Sequence, residues 1–470
     1  MLYSGGKERR AAMRIVVVGA GKVGFELAAR LAHEGHEVIV VDKDAEALEA
    51  VESHLDVMTY VGNGASPMLL QRIGIAEADL LIAVTEIDEV NMIACMTAKA
   101  YGARTCVARI RNPDYATAGP RAFSLAALGI DLVIDPEQVA AIEIVRLLET
   151  PSATEVELFA NGRVVMAGYM VEPGAPIAGR TLADVRLTDL LVAALVRGDE
   201  VIIPQGTDHI EAGDQMIVIG RTGSFGPLRA MIGAEERTIR SVVIVGASRI
   251  GTKLAAALRP NRKAGIHVML VEKDPWRARE AAETLPDVLV VQGDGTKIDV
   301  LREEGVDSYD ALVAVTGEDD TNLLATMLGK ELGVGEVITV IGREDYVPLA
   351  RKAGADAVVV PRLLTVAGIL KLVRPATGLV SLTLLQEGRA EILEFRAQAG
   401  CRAAGRSLRE LSFPRGAIVA AVLHKGRTAI AHGDTVIRPG DRVIVFALPE
   451  ATSEVEALFG TPVRRRVGAP

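Results

Sequence analysis

The chain has 470 residues, of which 49% are hydrophobic and only 3% aromatic, so its cores must be built from Val, Ile, Leu and Ala, as in parallel sheets covered by helices. The formal net charge of −9 argues against the broad basic footprint of a nucleic-acid binder, and no stretch approaches the roughly 18 consecutive apolar residues of a membrane span. Three cysteines, Cys95, Cys106 and Cys401, lack CxxC spacing, which fits reduced thiols in a cytoplasmic protein and offers no metal site.

Residues 1–12 are polar and lack the apolar core of a signal peptide. They are expected to form a disordered extension, with Met13 as an alternative start. Short β-branched runs follow at 14–18, 37–41, 56–61, 79–84, 105–110 and 131–134, separated by helical patterns at 25–33, 45–53, 67–73 and 90–101. Near-continuous apolar strands between helices predict a doubly wound parallel sheet, a Rossmann unit, closed by a helix over 136–149. Residues 151–235 change character: strand-like runs at 155–159, 164–169, 190–196, 200–203 and 215–219 are divided by Gly, Pro and Asp turns, with one helical piece at 181–185. This predicts a small α+β domain.

The pattern then restarts. Gly246 follows Gly19 by 227 residues, Gly293-Asp294-Gly295-Thr296 follows Gly62-Asn63-Gly64-Ala65 by 231, and Pro439-Gly440-Asp441 follows Ala212-Gly213-Asp214 by 227. The near-constant offset makes the chain an internal duplication. The expected domains are a Rossmann unit at 13–150, a small domain at 151–235, a second Rossmann unit at 236–375, a second small domain at 376–460, and a tail at 461–470 carrying Arg464, Arg465 and Arg466.

The first Rossmann unit carries a dinucleotide fingerprint, Gly19-Ala20-Gly21-Lys22-Val23-Gly24, directly after a strand. Gly19 allows the tight turn, Gly21 lets a pyrophosphate approach the backbone, and Gly24 lets the helix pack on the strand. The phosphates then sit at the positive helix end. Lys22 lacks the spacing of a P-loop lysine and reads as a solvated loop residue. Asp42 ends the second strand, 18 residues past Gly24, where a carboxylate accepts from both ribose hydroxyls and repels a 2′-phosphate, favouring NAD(H) or an adenine nucleotide over NADP. Lys43 follows it in the loop. Gly62, Asn63 and Gly64 form a turn able to border the adenine, while Thr85, Glu86 and Arg109 stand at the carboxyl edge of the sheet, where ligands of open α/β sheets bind. Arg109 reads either as a phosphate partner or as a surface salt bridge. Asp88, Glu89 and Asn91 read as the cap of the next helix.

The order Gly-Ala-Gly-Lys-Val-Gly, Asp42, Gly62-Asn63-Gly64-Ala65-Ser66, Ala83-Val84-Thr85, Asp88-Glu89-x-Asn91 and Ala108-Arg109-Ile110-Arg111-Asn112-Pro113-Asp114-Tyr115 resembles the TrkA family. The resemblance runs from Met13 to Phe459. It implies regulator-of-potassium-conductance (RCK, or KTN) Rossmann domains, each followed by a TrkA-C domain. It also implies an NAD(H)-binding regulatory subunit, with ATP or ADP as further ligands. Such a subunit is cytoplasmic, peripheral on the inner membrane face, and a homo-oligomer, expected as a tetramer. It gates an integral-membrane potassium-translocating partner of the TrkH/TrkG type.

The second fingerprint departs from the first. It reads Gly246-Ala247-Ser248-Arg249-Ile250-Gly251, with Ser248 in place of the middle glycine, and Glu272 stands in place of Asp42. Gly293, Asp294 and Thr316 keep the cleft edge, but the 231-residue offset puts Val340 at the position of Arg109. Weaker or altered nucleotide binding is expected there. No residue is assigned a catalytic role. The competing reading is an NAD-dependent oxidoreductase with tandem Rossmann domains, which needs an acid/base near the nicotinamide. No tyrosine is followed four residues later by lysine, and the histidines are scattered. A scaffold with vestigial sites is a third reading, opposed by the intact pairing of Gly19 and Asp42.

Overall fold

The computed structural model describes residues 12–112, 114–115, 124–185, 187–198, 200–233, 238–258, 265–373, 379–385 and 389–460. The expectations for residues 1–11 and for the basic tail lie outside these. The chain divides into two compact units, residues 1–136 and 137–470.

The first unit alternates strand and helix: β1 (Arg14–Val18), α1 (Lys22–His33), β2 (Glu37–Asp42), α2 (Ala45–His54), β3 (Met58–Val61), α3 (Pro67–Arg72), β4 (Leu80–Ala83), α4 (Asp88–Tyr101), β5 (Thr105–Arg109) and β6 (Leu132–Ile134). The six strands run parallel in the order β3-β2-β1-β4-β5-β6. That order reverses between β1 and β4, the switch point at which Rossmann sheets open a ligand crevice. Helix starts follow local chemistry. Asp44 caps α2 by accepting from the Glu46 and Ala47 amides, and Ser66 followed by Pro67 starts α3. Gly102, in the left-handed region, ends α4.

The second unit opens with α5 (Pro136–Glu149), followed by β7 (Ala153–Phe159), β8 (Val164–Met170), β9 (Leu190–Arg197), β10 (Glu200–Ile202), β11 (Gln215–Arg221) and α6 (Gly226–Ile232). The second Rossmann module comprises β12 (Ser241–Val245), α7 (Arg249–Ala257), β13 (His267–Glu272), α8 (Pro275–Thr284), β14 (Leu289–Gln292), α9 (Ile298–Glu303), β15 (Ala311–Ala314), α10 (Asp319–Glu331), β16 (Glu336–Val340), α11 (Val347–Lys352), β17 (Ala357–Val359) and α12 (Pro361–Val373). The chain ends in β18 (Leu379–Leu385), β19 (Ala390–Arg396), β20 (Ala417–His424), β21 (Arg427–Ile430), β22 (Arg442–Ala447) and α13 (Pro449–Phe459). The second parallel sheet, β14-β13-β12-β15-β16-β17, repeats the first strand for strand. The two small sheets, β10-β9-β11-β8-β7 and β18-β19-β22-β20-β21, are antiparallel and share one topology under the same repeat.

Two expectations are corrected here. Residues 181–185 are turns, not a helix. Thr181 bridges to His209 and its hydroxyl bonds Asp184 at 2.6 Å while accepting from the Asp184 amide, local bonds of the kind that compete with helix formation. The helix expected to close the first Rossmann sheet, α5, belongs instead to the core of the second unit. Its Ala140, Ala141, Ile144, Leu147 and Leu148 cluster with Val242, Ile244, Val313 and Val359 of the second parallel sheet and with Val156 and Val165 of the first small sheet. Periodicity shows that a face is buried but not which sheet buries it. The two small sheets also share a core, in which Phe159, Met166 and Ile217 pack with Ile392, Ile444 and Phe446.

Candidate nucleotide clefts

In the first unit the turn from β1 to α1 is held by contacts that only glycine permits. Gly19 has φ +112°, and a Cβ there would stand 3.1 Å from the Thr85 amide nitrogen. A Cβ on Gly24 would lie 1.8 Å from the Gly19 carbonyl oxygen, so α1 reaches the sheet only because that position is bare. Gly21 is different: nothing lies within 4 Å of a Cβ built there. It is the N-cap of α1 and makes no side-chain cap, which leaves the first-turn amides facing an open crevice. Lys22 is exposed and Val23 half-buried on that turn, and Ala20 is buried.

Asp42, at the end of β2, accepts from the Ala20 amide at 2.5 Å and from the Asp44 amide at 2.9 Å. It thereby ties the glycine turn to the next strand. Lys43 beside it is exposed. Gly62, Asn63 and Gly64 follow β3, with the Asn63 side chain accepting from the Ala65 amide at 3.0 Å.

The opposite edge of the cleft is built by a buried asparagine. Asn91 accepts from the Thr85 amide and hydroxyl at 2.9 and 2.7 Å and donates to the carbonyls of Thr85 and Arg109 at 3.1 and 2.9 Å. The expected capping role of Asp88, Glu89 and Asn91 is therefore corrected: Ile87 is the N-cap of α4, without a side-chain cap. Asp88 is buried and accepts from the amides of Arg111 and Asn112. Asn91 and Asp88 thus join the end of β4 to the segment leaving β5.

That segment presents two guanidinium groups. Arg109 and Arg111 each reach Glu86, at 3.4 and 3.1 Å, and Arg111 also donates to the Glu86 carbonyl. Glu86 is 79% exposed whereas the two arginines are 12% and 14% exposed. An exposed carboxylate adds at most about 1 kcal/mol of stability per pair, so its effect is chiefly to hold both guanidinium groups at the carboxyl edge. Sequence reasoning assigned Arg109 and Glu86 to the cleft but not Arg111. The alternation Arg-Ile-Arg at the end of a strand was the available signal, since positions two apart share a face.

The second cleft repeats the frame. Glu272 accepts from the Ala247 and Asp274 amides at 2.7 and 2.9 Å. Asn322 repeats Asn91, bonding the Thr316 amide and hydroxyl and donating to the Val340 carbonyl at 2.8 Å. Val340 therefore occupies the place of Arg109. Asp319 repeats Asp88 by accepting from the Gly342 and Arg343 amides, which puts Gly342 at the place of Arg111. The nearby Arg343 pairs with Asp345 and lies 4.3 Å from the centre of the Tyr346 ring. Ser248 caps α7, accepting from the Gly251 amide at 3.2 Å and donating to the Val315 carbonyl.

A cavity of about 220 Å³ opens in this cleft, lined by Gly246, Ser248, Glu272, Asp294 and Thr316 among the residues singled out from sequence. Ala247, Arg249, Ile250, Gly251 and Gly293 do not line it. Lys273 and Arg277 do, and sequence reasoning missed both. Lys273 directly follows Glu272, as Lys43 follows Asp42, and Arg277 lies on the first turn of α8.

Paired Rossmann modules with glycine turns, ribose-type carboxylates and a small antiparallel sheet after each define a class, tandem nucleotide-binding regulatory proteins. The chain belongs to the TrkA family: the TrkA-N domain matches residues 15–136 and 242–361, and the TrkA-C domain matches 166–233 and 392–460. It is 38% identical over 455 residues to Trk system potassium uptake protein TrkA homolog 1 of Methanosarcina mazei, covering 95% of this chain and 100% of that one. It is 35% identical over 456 residues to Trk system potassium uptake protein TrkA of Halomonas elongata, covering 95% and 98%. Among solved structures, the GsuK RCK domain shares the fold with a TM-score of 0.59 at 20% identity, covering 95% of each chain.

Proposed function

We propose that this chain is the nucleotide-sensing regulatory subunit of a Trk-type potassium uptake system. It acts from the cytoplasmic face on an integral-membrane, potassium-translocating partner of the TrkH/TrkG kind. The observation that carries this reading is the first cleft. There Asp42 braces the glycine turn while Arg109 and Arg111 are held opposite it, in a chain that aligns with TrkA proteins over 95% of its length. No described helix is long and apolar enough to cross a membrane, so a peripheral attachment through the partner suits it. The assembly is a homo-oligomer, a tetramer in the simplest arrangement.

NAD(H) fits the first cleft, with ATP or ADP as alternative ligands. Its phosphates would lie against the first-turn amides of α1, and Asp42 would accept from the ribose hydroxyls. Arg109 and Arg111 are placed to exchange Glu86 for ligand oxygens. The residues at this edge are tied into structural hydrogen bonds, which suits binding more than turnover. Regulation then requires only that nucleotide bind one arrangement of the assembled Rossmann modules more tightly than another.

The test combines two measurements. The purified chain should bind NADH, and Asp42→Ala should weaken that binding by roughly a hundredfold or more, since two hydrogen bonds to a charged group are lost along with the ribose contact. Cells lacking the chain should recover potassium uptake with the parent and not with Asp42→Ala. Unchanged NADH affinity in the variant sinks the site, and steady turnover of a hydroxy acid with NAD would instead support an oxidoreductase.

A further inference from the structure

The two copies of the repeat part company at the helix and strand that follow each parallel sheet. α12 follows α5 by the 225 residues that separate Pro361 from Pro136, and β18 follows β7 by the 226 that separate Leu379 from Ala153. On those offsets Glu143 of α5 corresponds to Gly368, while Glu155 and Glu157 of β7 correspond to Ser381 and Thr383. The second copy builds the same helix and strand with none of these three carboxylates, so the fold itself does not need them.

In the second unit the three gather at one junction. A cavity of about 110 Å³ lies where β7, β17 and β18, each the edge strand of its own sheet, meet α5, α11 and α12. Its charged lining residues are Glu143 on α5, Glu155 and Glu157 on β7, and Arg351 on α11. β8, β17, α12 and β18 bring no titratable group to it. Arg351 is exposed, and Glu155 accepts from the Gln215 side chain at 2.9 Å.

Glu143 and Glu157 are only 13% and 18% exposed, and a single nitrogen serves both. Arg146 Nη1 donates to Glu143 at 3.3 Å and to Glu157 at 3.1 Å. One guanidinium does not neutralise two carboxylates in a poorly hydrated place, and a proton supplies the difference. Burial, reinforced by the Glu157 and Glu155 charges and opposed by Arg146, raises Glu143 to about 8. Burial raises Glu157 as well.

We propose that Glu143, Glu157 and Arg146 form a proton-operated latch that fastens α5 to the edge of the first small sheet. While Glu143 holds its proton, α5 and β7 stay closed around Arg146. When Glu143 gives that proton to water, two carboxylates compete for one nitrogen and repel each other, which biases α5 away from β7. α5 begins at residue 136, where the first unit ends. A movement of the first unit is passed along the chain through this latched helix, so proton concentration becomes a second input beside nucleotide. That consequence rests on the regulatory reading above; the latch itself does not.

Hydrogen exchange of the full-length chain, read by mass spectrometry without added nucleotide and corrected for the intrinsic pH dependence of amide exchange, tests the latch. A carboxyl group that is protonated when the helix is closed and ionised when it is open favours opening as the pH rises. The gain is at most about tenfold per pH unit and stops once the closed form ionises too. Peptides from α5 and β7 should therefore lose protection steadily from about pH 6 upward and level off near pH 8, while those from β1 and β4 do not follow. Glu143→Gln should abolish the dependence. Glu157→Thr leaves Arg146 to Glu143 alone and removes a like charge, so the levelling point should move to lower pH.

Three outcomes overturn the proposal: protection of α5 in the parent that does not vary with pH, the same loss in Glu143→Gln, or an unmoved levelling point in Glu157→Thr. If Glu143→Gln does not fold, the displacement in Glu157→Thr decides by itself. A latch that operates in a chain that binds no NADH would support the proposal while removing the nucleotide reading.

Discussion

Arg111 shows how much a single position can differ between two copies of one module. Its backbone amide is held by Asp88, as the Gly342 amide is held by Asp319, so the local backbone is conserved by the same carboxylate. Only the side chain changes, from a largely buried guanidinium to none. Replacing Arg111 with the residue of the second copy, Arg111→Gly, should therefore leave the fold in place while lowering NADH affinity by about tenfold, the worth of one charge-assisted hydrogen bond. A fluorescence titration of NADH decides this, and an unaltered affinity would remove Arg111 from the site. Asp42 and the glycines were legible in the sequence because their spacing is set by the backbone turn itself. The bridging role of Asn91 was not, since its partner Arg109 lies 18 residues away and only the sheet brings them together.

At the scale of an element, α5 carries an unusual burden. Glu143 on this helix is largely shielded from solvent near Glu157 of β7, with Arg146 bonded to both. Burial, reinforced by the Glu157 charge and only partly offset by Arg146, pushes Glu143 up to about 8. Burial also raises Glu157. A carboxyl group whose folded pKa lies above its unfolded value binds more protons when folded. Its contribution to stability is complete below the unfolded pKa, near 4.3, and is lost as the pH climbs toward about 8. The parent should accordingly lose thermal stability between pH 5 and pH 8, a window set by those two values. Glu143→Gln, which keeps the shape and removes the charge, should flatten that dependence and exceed the parent in Tm at the alkaline end. Melting curves across the range test it. A parallel loss in Glu143→Gln would show that other groups dominate.

For the whole molecule, the consequence of α5 is a boundary placed where sequence periodicity did not put it. The first unit ends at residue 136, although the repeat pattern reads naturally to residue 150. Ala140, Ala141, Ile144, Leu147 and Leu148 are buried in the core of the second unit, and burying side chains of the larger kind is worth about 1.5–3 kcal/mol each. A fragment of residues 13–149 exposes that face without its partner sheet and should self-associate. One of residues 13–135 should stay monomeric and retain its parallel sheet. Size-exclusion chromatography with circular dichroism separates the two, and equal behaviour of both fragments would contradict the assignment of α5.

Sequence alone carries the duplication, the two parallel sheets, the strand-rich α+β character of the small domains and the asymmetry between Arg109 and Val340. These follow from local rules: β-branched runs between helices, glycines at fixed spacing, and a constant offset between copies. Tertiary packing decides which sheet buries α5, that residues 181–185 turn instead of coiling into a helix, and that Asp88 and Asn91 bond the segment at the end of β5. It alone brings Lys273 and Arg277 onto the wall of the cavity in the second cleft. Those outcomes depend on which distant surfaces meet, and apolar periodicity or charge along a chain carries no address for its partner.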